Sequence, residues 1–190
     1  MAYKLILASQ SPRRAALMKQ AGLQFEVMPS NSDEESVPHD KPAKYVKTIA
    51  KMKANAIAAK VSEGIIIAAD TTVYLDGKIY NKPKDRAEAI EMLKLFSGKV
   101  HKVTSGLCVI NKYTGKTVTK AVTTSVKFRE LSDRLISWYV DTGEPYDKAG
   151  GYGIQAKGGI LVEWVKGDYY NVTGLPLVTL MKILEEMDAF

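Results

Sequence analysis

The chain has 190 residues, of which 46% are hydrophobic and 25% charged, and a formal net charge of +6. That size and composition fit one globular domain spanning residues 1–190, either a single body or two small lobes sharing a cleft, with a core large enough to need no staples. The lone cysteine, Cys108, excludes an intrachain disulfide and suits a reducing cytoplasm, the two histidines argue against a histidine-based zinc site, and the apolar run Leu5–Ala8 is too short for a signal segment or a membrane span.

Leu5–Ala8 reads as a buried strand, followed by a helix with Ser11 as N-cap and Pro12 at its first position, running to about Ala21 before Gly22. Phe25–Met28 is a short strand, and Asn31–Asp40 is a polar, acidic loop. Lys41–Lys60 is a long helical pattern. Ile65–Ala69 is an apolar strand ending on Asp70. Val73–Leu75 and Lys78–Tyr80 flank Asp76-Gly77, a strong two-residue hairpin signal. Asp85–Phe96 is a helix stopped by Ser97-Gly98. Val100–Ile110 and Lys116–Phe128 form two long strands, Ser132–Asp141 a helix, and Asp147–Gly159 a glycine-rich loop. Ile160–Val165 and Tyr169–Val172 read as a hairpin around Lys166-Gly167, and Pro176–Met187 as the last helix. Helices and strands alternate but hairpins interrupt them. The expected class is therefore α/β, with a mixed, curved central sheet and flanking helices forming two lobes around a cleft.

Six stretches carry candidate chemistry. At Ser9–Arg14 a helix N-terminus offers free N–H groups and partial positive charge, and Arg13 and Arg14 add bidentate donors, so the stretch is either a plain strand-to-helix turn with solvated arginines or a site for an anion such as phosphate. Asp33-Glu34-Glu35 is either a solvated acidic loop or a source of magnesium ligands, since that ion takes one or two carboxylates and leaves phosphates and water to fill the rest. On the Lys41–Lys60 helix, Val46, Ile49, Ala50, Ala56 and Ile57 share an apolar face, with Lys44, Lys47 and Lys51 opposite. Lys53 falls inside the apolar stripe, so it either snorkels outward or points into a cleft holding negative charge. Asp70 at a strand end is a hydrogen-bonded turn residue, a ligated group or a carboxylate at the mouth of a site. Lys82, directly after the hairpin, is a surface lysine or a phosphate contact. In Pro145–Gln155 the glycines allow close backbone approach, Tyr152 and Ile154 argue for order, and Gln155 offers a donor and an acceptor to a base edge. Together these residues are a recipe for metal-assisted phosphate chemistry on a nucleotide.

Ser-x-Ser-Pro-Arg-Arg at Ser9–Arg14, Asp33-Glu34, Ala50 to Lys53-Ala54, Ala69-Asp70-Thr71, Lys82-Pro83, Ser97-Gly98, Asp147-Lys148-Ala149-Gly150, Gly153-Ile154-Gln155 and Gly167-Asp168-Tyr169-Tyr170 with Gly174-Leu175-Pro176 resemble the Maf family, in order and spacing, from about residue 4 to 185. The resemblance implies an inosine-triphosphatase-like fold and a cytoplasmic nucleoside triphosphate pyrophosphatase that uses a divalent metal, magnesium or manganese, and is connected with nucleotide-pool cleaning and arrest of septum formation. Arg13, Thr71 and Gln155 match the dTTP/UTP-preferring subgroup rather than the one acting on 7-methyl-GTP. Asp33 in place of the commoner Glu, and Gly151 in place of a frequent Ala, are minor departures.

The resemblance makes Asp70 the proton acceptor, with Glu34 and Asp70 holding the metal, while the chemistry of Asp70 itself allows base, ligand or both. Ser9, Ser11, Arg13, Lys53 and Lys82 are expected on the phosphates, Arg14 either on a phosphate or holding the loop, and Thr71 and Gln155 on the pyrimidine. The expected partner is the triphosphate, with no membrane and no specific nucleic acid, and a homodimer is a family expectation. Rival readings are a pyrophosphatase for other non-standard triphosphates and a non-catalytic nucleotide- or nucleic-acid-binding division regulator.

Overall fold

Three consecutive apolar residues at the start of the chain form β1 (Leu5–Leu7), and the isoleucine run downstream begins β3 (Ile65–Leu75). The two pair in parallel, Leu5 with Ile65 through Leu7 with Ile67, and β2 (Phe25–Val27) pairs in parallel on the other side of β1. Such runs are apolar on both faces because parallel strands are covered on both. The computed structural model describes residues 3–30, 37–38 and 41–190. Asp76 and Gly77 both adopt positive φ, 49° and 84°, as a tight hairpin turn requires, and return the chain as β4 (Lys78–Tyr80). The long strands β5 (Val100–Asn111) and β6 (Thr117–Phe128) follow, then β7 (Val162–Lys166).

Among the described residues these strands make one mixed sheet in the order β2-β1-β3-β5-β6-β7, with β4 beside β3. The expected curved sheet is not what forms. The path is open, with β2 and β7 as separate ends. A sheet curls through bulges and register breaks. Here β3–β5 and β5–β6 keep unbroken register from Ile65 to Tyr74 and from Val100 to Ile110. Among the described residues a shift occurs only at Lys127/Phe128, against the edge strand β7.

Alternation along β3 sorts the layers. Ile65, Ile67 and Ala69 face a cluster built with Leu17 and Met18 of α1 (Pro12–Gln20) and Leu180, Ile183 and Leu184 of α6 (Leu177–Glu185). Farther along the same face, Val73 and Leu75 join Leu93 and Phe96 of α3 (Arg86–Phe96) and Ile136, Tyr139 and Val140 of α4 (Asp133–Asp141). The other face carries α2 (Pro42–Ala58), whose Ala50, Ala54 and Ile57 pack on Ile66, Ala68 and Cys108. Ala54 rather than the expected Ala56 is fully buried there. Gly106 sets the closeness of this packing, since a Cβ there would overlap the Val46 backbone carbonyl. α2 therefore rides directly on β5.

The second expected hairpin is also corrected. Tyr169–Thr173 is a five-residue helix, α5, and not a strand. Asp168 caps it by accepting the Asn171 N–H at 3.1 Å, and Gly174, at φ 115°, ends it. Its buried Asn171 donates to the Val103 carbonyl at 3.0 Å and to Thr124 Oγ1 at 2.9 Å, which docks the helix on β5 and β6. No helix among the described residues is long and apolar enough to cross a membrane.

Candidate active site

The site begins as a gap in the edge of β3. On one side of this strand β1 pairs only as far as Ile67, extended by the Ala8 N–H to the Ile67 carbonyl at 2.8 Å, and β4 begins only at Val73. Residues 68–72 face neither strand on that side, while β5 continues on the other. Asp70 stands in the middle of this gap. It was expected to end a strand, and instead lies at the sixth position of an eleven-residue one. Thr71, Thr72 and Val73 are β-branched and carry the strand onward.

A cleft of ≈ 980 Å³ opens at the gap and takes walls from both faces of the sheet. Ser9, Ser11, Arg13, Arg14, Lys53, Asp70, Thr71, Lys82 and Gln155 all line it. Asp33, Glu34 and Glu35 lie outside the described residues. Six cationic side chains (the four just named, with Lys84 and Lys148) and two carboxylates, Asp70 and Asp147, are among the described lining residues. The surplus suits a polyanionic ligand.

Because Asp70 follows Ile66 and Ala68 in the alternation, its carboxylate projects toward α2. Lys53 meets it there, Nζ to Oδ1 at 2.9 Å, with side chains 11% and 14% exposed. Thr71 points to the opposite face. Its hydroxyl lies 2.8 Å from Ser105 Oγ and 3.3 Å from the Gly174 carbonyl oxygen. Arg14 reaches the same point, donating to the Gly174 carbonyl at 2.8 Å, Ser9 Oγ at 3.0 Å and Thr71 Oγ1 at 3.4 Å. It ties the turn after β1, the strand β3 and the C-cap of α5 together at the cleft wall.

Ser11 occupies the N-cap of α1 as expected but makes no side-chain cap; its N–H donates to Ser9 Oγ at 3.2 Å. Arg13 spans the cleft. Its Nη1 lies 2.6 Å from Asp147 Oδ2 and its Nη2 donates to the Asp147 carbonyl at 3.1 Å. Lys148 holds the other oxygen of that carboxylate at 2.6 Å. Burial opposes ionisation of Asp147, but the bonds from Lys148 and Arg13 outweigh it and leave its carboxyl below the ordinary value. Asp147, although part of a recognised motif, was given no role from sequence, and its pairing with a residue 134 positions away has no local signature. Thr72, Asn81 and Tyr45 form a second unforeseen chain, Thr72 Oγ1 donating to Asn81 Oδ1 at 2.9 Å and Asn81 Nδ2 to Tyr45 OH at 3.2 Å. Among the described residues no three His, Cys, Asp or Glu side chains converge as a metal cluster.

Behind the wall, Tyr152 OH lies 2.7 Å from Nε2 of the buried His101, which stacks on Phe96 at 4.8 Å. Burial pushes the His101 imidazole down from 6.5 to about 3. The folded protein keeps it neutral, while the unfolded chain takes up a proton below its ordinary value. Stability is therefore fully present above about pH 6.5 and falls toward pH 3, by about 1.4 kcal/mol per pH unit. Urea unfolding should show about 2 kcal/mol less stability at pH 5 than at pH 7.5, with the difference shrinking in His101→Gln. Equal stability at both pH values contradicts this.

Three comparisons place the chain among known proteins. The family model described as Maf-like protein matches residues 4–187. A dTTP/UTP pyrophosphatase of Thermococcus onnurineus is 51% identical over 181 residues, covering 95% of this chain and 96% of that one. Proteins of the same name from Thermococcus gammatolerans and Clostridium perfringens are each 48% identical, over 95% of both chains and 97% of both chains respectively. The structure of the Staphylococcus aureus Ham1 protein superposes with a TM-score of 0.52 at 14% identity, over 97% of this chain and 99% of that one, a likeness of fold alone.

Proposed function

Because the chain belongs to the Maf family, we propose that it is a nucleoside triphosphate pyrophosphatase that hydrolyses dTTP and UTP to the monophosphate and pyrophosphate. The observation that carries this reading is the Lys53–Asp70 pair, set in the gap of β3 and facing a cleft rich in cations. Asp70 accepts the proton of the attacking water as it adds to the α-phosphorus. The leaving pyrophosphate gathers negative charge, and fixed cations at that point lower the barrier most. Lys53, Arg13 and Lys82 bind the phosphates, with Ser9, Ser11 and the N-terminus of α1. Arg14 keeps that wall in place through Ser9 and Gly174. Asp147 fills Arg13 until a phosphate takes its place.

The donor set suits magnesium or manganese, hard cations that need few protein carboxylates when phosphates and water complete the sphere. Asp70 and Glu34 are the residues that would hold the ion. When bound, it supplies polarisation of the phosphoryl oxygens. Gln155 reads the pyrimidine, donating to O4 and accepting from N3–H, and Thr71 assists from the neighbouring wall. Cytosine reverses that donor–acceptor order. Residues 1–190 work as one domain in the cytoplasm on the nucleotide pool, with a link to septum formation. Pyrophosphate release with magnesium from dTTP, UTP, CTP, GTP and 7-methyl-GTP tests it. Release chiefly from dTTP and UTP supports the reading, whereas no release from any of them favours a binding protein instead.

A further inference from the structure

The 3-10 turn Glu144–Asp147 that meets Arg13 also carries Glu144, and Glu144 holds both ends of the segment bearing Gln155. Tyr139 OH donates to Glu144 Oε1 at 3.1 Å and accepts the Gly153 N–H at 3.1 Å. The same carboxylate accepts the Lys157 N–H on Oε2 at 3.1 Å and the Gly158 N–H on Oε1 at 3.2 Å. The two ends touch. A Cβ on Gly158 would stand 2.6 Å from the Gly153 carbonyl oxygen, and one on Gly159 2.8 Å from that of Ile154. Residues 153–158 are thus a closed loop whose tip, Ile154, Gln155 and Ala156, enters the cleft.

We propose that Glu144 is a positioning residue for base selection, its carboxylate fixing the backbone from which Gln155 reads the nucleobase. This rests on the assignment of Gln155 as the base reader. Discriminating uracil from cytosine requires a donor and an acceptor held at set points, within about half an ångström. Gln155 is exposed, so its own packing does not supply that precision. The stem does, through backbone N–H groups gathered on one carboxylate. Burial raises the Tyr139 phenol well above its ordinary value, so its hydroxyl stays protonated and keeps donating. Lys148 braces the same stem, with Nζ 2.7 Å from the Glu144 carbonyl oxygen and its stem against Gly153.

The test compares kcat/KM for UTP and CTP, and inhibition by inorganic tripolyphosphate, which has no base, in wild type, Gln155→Ala, Glu144→Gln and Tyr139→Phe. Glu144→Gln keeps the shape but turns an amide NH2 toward a loop N–H. It should cut the UTP/CTP preference by about tenfold or more, through KM for UTP, with tripolyphosphate inhibition within about twofold of wild type. Tyr139→Phe removes the Gly153 arm, with the hydroxyl's bond to Glu144, but keeps the Lys157 and Gly158 bonds to the carboxylate, and should produce a smaller loss in the same direction; it decides the matter if Glu144→Gln does not fold. Preference within about twofold of wild type in both variants, or tripolyphosphate inhibition lost in parallel, overturns the proposal. If Gln155→Ala retains the preference, or wild type has none, the assignment of Gln155 fails first and takes this proposal with it.

Discussion

Replacing Asp70 by asparagine should lower turnover of UTP by a factor on the order of 10²–10⁴ while the protein still folds, the range a lost general base commands. Asparagine has the same shape and keeps an oxygen for the Lys53 ammonium, which now lies 2.9 Å from Oδ1. The pair is only partly buried and borders the cleft, so the uncompensated lysine remains near water. What disappears is the carboxylate that the proposed mechanism uses to take the proton from water and, with Glu34, to hold the metal. Initial rates of pyrophosphate release, run beside a urea titration, separate the two effects. A residual rate within about tenfold of wild type, about 1.4 kcal/mol in the barrier, contradicts the assignment.

Exchanging Gln155 for glutamate should move base preference away from uracil and thymine, lowering the UTP/CTP ratio of kcat/KM by about a hundredfold. A site built to match a donor and an acceptor loses several powers of ten when the match is broken. The exposed side chain places this case at the lower end of that range. Glutamate removes the donor to O4 and sets a carboxylate beside it, whereas cytosine presents an amino group at that position. Relative rates across a panel of UTP, dTTP, CTP and GTP give the answer. Unchanged ratios remove Gln155 from base recognition.

Much of the scaffold is readable from local chemistry. The Asp76-Gly77 turn lies where two positive φ values are needed, and Asp85 caps α3 by accepting the Glu88 N–H at 2.9 Å. Lys53 stood out because it broke an apolar stripe, and it does meet a carboxylate at the cleft. The helix α5 was hidden because Tyr169, Tyr170, Val172 and Thr173 favour a strand by intrinsic preference. The cap at Asp168 and the docking of Asn171 override that preference. The passage of β3 through Asp70 was hidden for a different reason. An aspartate is disfavoured inside a strand, and is tolerated here because β1 ends before it and β4 begins after it. The curvature expected of the sheet was an inference from interleaved hairpins, but curvature follows from bulges, which the long ladders lack. Pairings such as Arg13 with Asp147, or Glu144 with Gly158, depend on the assembled fold and leave no pattern in the chain.

Hydrolysis of UTP in water enriched in the heavy oxygen isotope, with products separated and weighed by mass spectrometry, tests most directly whether this cleft splits the α–β anhydride of a pyrimidine triphosphate by attack at the α-phosphorus. One labelled oxygen in UMP and none in pyrophosphate, with both products formed on the order of 10²–10⁴ times more slowly in Asp70→Asn, is the expected result. Label in pyrophosphate, or release of single inorganic phosphate in place of pyrophosphate, would contradict it.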